Sequence, residues 1–238
     1  MPRIYAAYLK KVLTRAVFHD MTANAIDIAS EQANQDPKDE EGNRVFTVPE
    51  LHWFRKNAYN MGVLKCDTWQ LSHIIRIFTT CLAFSSYYPK DLPLSEATEI
   101  ALMALRCHFV SAAALVSLAR AEDRVEEQLQ YYLQVRHHMR EFYATLETTA
   151  DEIQDENIAA DFNVKLSTLS VFDFEAATVL KDWEGLNEII RKAKTCRDEA
   201  MYKAMGDCIL RSRAPGKGQK YGCLHNPYWE TSADVSEC

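Results

Sequence analysis

The sequence predicts an all-α fold in which antiparallel helix pairs stack one on the next. Three observations carry that prediction. The 238 residues include only seven glycines and seven prolines, too few turn residues for the many tight turns of a β-sandwich or barrel. Apolar residues recur at steps of three and four through most of the chain, the period of a helix with one buried face. No stretch alternates convincingly between apolar and polar residues, as a half-buried strand does. At 47% hydrophobic and 11% aromatic residues the chain is too apolar to stay disordered and long enough for an ample core. Nine of the fourteen glycines and prolines fall within residues 1–212 and five in the last 26. That distribution divides the chain into a helical domain, 1–212, and an irregular C-terminal tail, 213–238.

Taken in order, residues 3–33 space Ile4, Tyr8, Val12, Leu13, Val17 and Phe18 as one long helix or two. Gln35 to Asn43 (QDPKDEEGN) is an acidic connecting loop. Thr47 is an N-cap candidate, with Pro49 in the first turn and Glu50 three residues on, as a capping box requires; this helix runs to about Leu64. Leu71, Ile74, Ile75, Phe78 and Leu82 mark the next, from Thr68 to Tyr88, stopped by Pro89. Ser95 is the expected N-cap of a helix reaching Arg120. After a turn at Glu122-Asp123, residues 124–148 carry Val125, Leu129, Tyr132, Leu133, Met139, Phe142 and Leu146 on one stripe. Residues 157–182 are apolar nearly all round, which marks a central helix. Two shorter helices, about 183–194 and 196–212, complete the series.

Helices joined by loops this short run antiparallel to their neighbours. The pair 48–64/68–88 carries Trp53, Ala58, Tyr59 and Gly62 on its first helix, the large-small-aromatic-small content of a tetratricopeptide (TPR) first helix. Pairs 95–120/124–148 and 157–182/183–194 repeat the topology at a longer, uneven period. Antiparallel pairs stacked in sequence make either a compact bundle or an α-solenoid, and the architecture expected here is a TPR-like α-solenoid segment.

The formal net charge is −7, which disfavours direct nucleic-acid binding by the surface as a whole. Seven cysteines, none in a CxxC pair, fit reduced, core-packed thiols better than a disulfide framework. Ile100 to Ala119 has the length of a membrane span, but Arg106 and His108 near its middle point to a buried helix of a bundle.

Candidate chemistry is sparse. Asp151-Glu152-Ile153-Gln154-Asp155-Glu156 resembles an Mg²⁺-binding aspartate-rich motif, but it sits at a helix junction, where acidic residues cap helix starts. His137, His138 and Glu141 make one His-x-x-Glu step, short of any metal motif; a surface or groove-facing histidine pair is the plainer expectation. Gly216-Lys217-Gly218 with Gly222 lacks the context of a phosphate loop. Cys107 and His108 are neighbours on a helix and point in different directions. These residues predict no catalytic group, no metal and no cofactor.

Several stretches together resemble the fungal meiosis and sporulation scaffold proteins of the Zip-four/Spo-twenty-two type. They are Pro49-Glu50-Leu51-His52-Trp53-Phe54-Arg55-Lys56-Asn57-Ala58-Tyr59-Asn60, then Tyr88-Pro89-Lys90-Asp91, then Ser117 to Asp123 leading into Glu127 to Leu133, and last Val171 to Ala177 with Trp183 and Asp207-Cys208-Ile209-Leu210. The similarity covers about residues 10–212; family members are much longer. It implies a non-enzymatic scaffold on meiotic chromosomes in the nucleus, which binds other proteins during synaptonemal complex assembly, synapsis and crossover formation. No small-molecule substrate, membrane or direct nucleic-acid contact is implied. The family's aromatic-Asn dipeptide falls on Tyr59-Asn60. Two roles are open to Asn60: gripping the backbone of a partner peptide with its amide, or tying adjacent helices together. Trp53 is read as core packing. The alternative is a general helical-repeat adaptor subunit of a complex outside meiosis.

Overall fold

The computed structural model describes residues 19–38, 41–196 and 198–213. Within them the chain forms eight α-helices and no strand, only a single bridge between Lys38 and Arg44. The helices are α1 (His19–Asn34), α2 (Val48–Lys65), α3 (Leu71–Ser85), α4 (Leu94–Ala121), α5 (Val125–Thr149), α6 (Glu156–Val179), α7 (Trp183–Ala193) and α8 (Glu199–Arg213), with a 3-10 turn (Ala150–Glu152) before α6. The all-α expectation holds. The part of the first expected helix before residue 19, and the tail from residue 214 with its glycines, lie outside the described residues.

The helix ends show where local signals act. Thr47 occupies the N-cap of α2 with extended backbone, but its hydroxyl donates to the Glu50 carboxylate rather than capping a backbone N–H. The two capping-box side chains are there and pair with each other. Ser95 is not a cap: α4 begins at Leu94, and Pro93 holds the N-cap position. The Pro93 carbonyl accepts from the backbone of Glu96 and Ala97, each at 3.0 Å, and its ring fixes φ near the value needed to enter the helix. At α6 the expected acidic cap forms, with Asp155 accepting from the backbone N–H of Asn157 at 2.8 Å and Ile158 at 3.4 Å. The same helix ends in a Schellman arrangement: Asp182 N–H reaches the Ala177 carbonyl at 2.9 Å and Lys181 N–H the Thr178 carbonyl at 3.2 Å. This places Lys181 at φ 60°, a left-handed position usually held by glycine. Asp182 then caps α7 through Gly185 N–H at 3.0 Å.

Three groups of buried residues follow one another in chain order. The first joins α1, α2 and α3 with Cys107 of α4, and is aromatic: Phe54 stacks on Phe84 at 5.7 Å and Phe46 lies 5.9 Å from Phe54. Fully burying each such ring contributes roughly 1.5–3 kcal/mol. Here α2 and α3 approach closely because Gly62 has no side chain. A Cβ there would stand 2.7 Å from Cζ of Phe78.

The second group unites α4, α5 and α6 around Leu105, Leu115, Val135, Phe142, Phe162 and Leu169. By length and composition α4 could cross a membrane, but residues 111–116 and Ala119 are buried in the structure. The small side chains of Ala112, Ala113 and Ala114 suit close helix packing, and α4 against α5 is the most extensive helix contact among the described residues. The third group lies between α6, α7 and α8, with Phe174, Leu186, Ile189, Met201 and Met205. Central placement of α6 agrees with its apolar circumference, since it packs against α4, α5, α7 and α8. Cys81, Cys107 and Cys208 are buried free thiols, and Cys66 and Cys196 are partly buried ones.

Candidate interaction face

Helices α2, α4 and α6 run in the same direction; α4 packs directly on α6, whereas α2 reaches α4 mainly through long side chains. Between α2 and α4, His52 Nε2 meets Glu96 at 3.3 Å, and Glu99 is met by Arg55 at 3.3 Å and Lys56 at 3.0 Å. Between α4 and α6, the Arg106 guanidinium lies 5.9 Å from the Phe162 ring centre, and the Lys165 ammonium 5.5 Å from that of Phe109. Further along, Arg120 donates to both oxygens of Glu175 at 2.9 and 2.5 Å. Residue numbers rise together on both helices of each pair, which defines parallel neighbours. The intervening α3 and α5 run the other way: Phe54 meets Phe84 while Tyr59 meets Phe78, and His108 meets His138 while Arg120 and Tyr132 share Glu175.

On α2 the residues His52, Arg55, Lys56 and Tyr59 step by three and four, so one stripe of the helix carries them. Arg55 is fully buried. It donates from Nε to Tyr88 Oη at 3.1 Å, from Nη1 to Met103 Sδ at 3.1 Å, and from Nη2 to Glu99 at 3.3 Å, with His52 Nδ1 3.2 Å away. Its guanidinium also lies 5.7 Å from the Tyr88 ring centre. Partial burial pushes the Glu99 carboxyl up, but Lys56 and Arg55 outweigh it and hold the group below the ordinary value.

Tyr59 and Asn60 point in different directions, as successive helix positions must. The Tyr59 ring is partly buried and meets Phe78 edge-on at 5.9 Å. Burial pushes its hydroxyl up to about 12 against the opposing pull of Arg106. Asn60 is exposed and makes no side-chain hydrogen bond among the described residues, so it ties no helices together there. The asparagine that bonds locally is Asn57, donating to the Trp53 carbonyl at 2.7 Å. Trp53 packs at the edge of the first core group, 5.1 Å from Phe54.

Elsewhere the structure redistributes the candidates. His137 and His138 are not a surface pair. His137 is exposed, 3.8 Å from Glu141, whereas His138 is buried with its Nδ1 2.9 Å from Nδ1 of His108 on α4. Antiparallel packing of α4 on α5, invisible in local spacing, brings these rings together. At that distance one Nδ1 donates and the other accepts. Burial, reinforced by His138 and then His137, depresses His108 to about 3; burial and His137 depress His138 to about 4. Asp155 is engaged as the α6 cap, and Asp151 lies exposed in the 3-10 turn. Among the described residues no cluster of three or more His, Cys, Asp or Glu side chains is placed to hold a metal ion.

Two acids escaped the sequence reading. Glu175 accepts from Arg120 and from Tyr132 Oη at 2.8 Å, and Asp173 accepts from Arg136 Nε at 3.0 Å. Burial pushes the Asp173 carboxyl up against the pull of Arg136; the same guanidinium and the Gly185 N–H hold the partly exposed Asp182 down. Their signal was present as two acids within the otherwise apolar run Val171–Ala177. Comparison of the chain with family models, curated proteins and solved structures returns no match.

Proposed function

We propose that this chain is a TPR-like α-solenoid segment acting as a non-enzymatic protein-interaction scaffold. In this reading α2, α4 and α6 are the first helices of successive pairs, and α3, α5 and α7 the second. The observation that carries it is the parallel alignment of α2, α4 and α6, joined by charged side-chain contacts 44 residues apart between the first two and 55 between the next. A stack whose core groups follow chain order leaves a long lateral face for partners. Tyr59 on that face and the exposed Asn60 at its margin are the proposed contact residues, with the Asn60 amide free to grip a partner's backbone.

The sequence resemblance extends the proposal to meiosis: a nuclear scaffold supporting synaptonemal complex assembly, synapsis and crossover formation. The test is capture of synapsis proteins from meiotic cell extract by the tagged full chain. Wild type retains them, Asn60→Arg loses them, and Arg140→Glu on the exposed side of α5 keeps them. Equal retention by wild type and Asn60→Arg removes Asn60 from the interface. Capture of subunits of one vegetative complex instead replaces the meiotic reading with that of a general adaptor.

A further inference from the structure

We infer that Arg106, Tyr59 and Lys165 form a recognition point for a glutamate or aspartate side chain of a bound peptide, which gives the scaffold proposed above its preference for acidic partners. The inference rests on that scaffold reading and specifies the chemistry of the same face.

Arginines that bridge helices in this protein are matched to carboxylates. Arg55 reaches Glu99, Arg76 reaches Asp27, Arg120 reaches Glu175, and Arg136 reaches Asp173 and Asp182. Arg106 is different. It is partly buried, its guanidinium lies over Phe162 at 5.9 Å, and among the described residues it has no carboxylate and no hydrogen-bond acceptor. A guanidinium carries five N–H donors in a planar fork that fits a carboxylate in two-point contact. The unpaired donors of Arg106 are reached by solvent, and an incoming carboxylate replaces that water in two-point contact.

The neighbours complete the arrangement. The Tyr59 hydroxyl, close enough to Arg106 to feel its charge, makes no hydrogen bond among the described residues and supplies a further donor. From α6, the Lys165 ammonium lies 5.5 Å from the ring centre of Phe109 and 6.0 Å from that of Phe162. Lys165 is paired one turn back with Asp161, whose charge also reaches Tyr59. Two cations therefore face one acid, an excess of one positive charge. That balance is neutralised by the single charge of a carboxylate, whereas a phosphate dianion would leave an excess negative charge beside Asp161. The partly buried ring of Phe109 offers apolar surface to the methylenes of the bound side chain, while Phe162 beneath it is fully buried.

Fluorescence anisotropy with a fluorescein-labelled peptide Gly-Ser-Leu-Glu-Leu-Ser-Gly and its Gln counterpart tests the site. Full-length wild type is expected to prefer the Glu peptide at least tenfold. Arg106→Gln should abolish the preference. Arg106→Lys, which keeps the charge without the fork, should leave part of it. Tyr59→Phe should reduce it about threefold, and Arg140→Gln should leave it unchanged. Circular dichroism melts establish that each variant is folded. Equal affinity of wild type for the two peptides, or a preference that survives Arg106→Gln, overturns the proposal. Tighter binding of a phosphoserine version overturns the carboxylate assignment. Capture of partners by a wild type that shows no Glu preference refutes this site and leaves the scaffold reading standing; failure to capture any partner counts against the scaffold itself.

Discussion

Arg55 in the first core group and Arg120 in the second are both arginines held between α4 and another helix, yet they are satisfied by different chemistry. Arg120 faces Glu175, itself nearly buried, in two-point contact, and Tyr132 takes up further acceptor capacity of the same carboxylate. Arg55 is more deeply buried, but its partners are largely neutral: a phenol, a thioether and an imidazole, with Glu99 about half exposed at the edge. Removing the arginine strands a buried anion in the second region and none in the first. The lesson is that depth of burial alone does not set the importance of a charge. The state of the group left behind does.

The largest expected effect separates the two regions directly. Arg120→Met leaves Glu175 without its counter-ion and should cost about 3–5 kcal/mol. Arg55→Met leaves Glu99 with Lys56 and some solvent and should cost about 1 kcal/mol, the scale of ordinary hydrogen bonds lost. Urea midpoints of the two variants measure both, and equal losses would break the comparison.

Acid comes next, because the second region also contains a buried basic pair with no carboxylate acting on it. His108 and His138 have folded values of about 3 and about 4, below the ordinary 6.5. The unfolded chain therefore binds more protons, and stability is complete above pH 6.5 and falls as the pH drops towards 4. A single histidine held neutral accounts for about 2 kcal/mol by pH 5. Urea titrations at pH 7 and 5 should show the loss, and His138→Gln should flatten it. An unchanged slope in that variant would remove the pair as its source.

Packing in the first region is probed by Gly62→Ala. Its new methyl must displace the Phe78 ring, at a cost of about 1–2 kcal/mol, read as a lower thermal midpoint. The smallest effect has the opposite sign. Lys181→Gly relieves a left-handed backbone position ahead of the Asp182 cap and should stabilise by about 0.5 kcal/mol. No gain in the melt would mean that the turn is held by its surroundings rather than strained.

Much of the helix inventory was legible because a buried face imposes its period on consecutive residues. Leu71, Ile74 and Phe78, or Tyr132, Met139 and Phe142, disclose α3 and α5 without any neighbour in view. Ends were less legible. Ser95 has the chemistry of a cap but lies one residue inside α4, because Pro93 had already set the backbone. The candidate face was legible only in part. Tyr59 and Asn60 stood out, but the residues that share the face with Tyr59 come from positions 96–109 and 162–165, and no local pattern joins them.

By itself, then, the sequence determined the helical class, the order of the helices and the central role of α6, since each depends on periodicity within one segment. Tertiary structure alone decided which polar side chains meet. It turned His138 inward to His108 while leaving His137 outside, gave Asp173 and Glu175 their arginines, and left Arg106 over Phe162 without a carboxylate bonded to it among the described residues. Those outcomes depend on the register between helices tens of residues apart. Register is set by how small and large side chains interlock across an interface, as Gly62 does with Phe78, and a linear pattern does not encode it residue by residue.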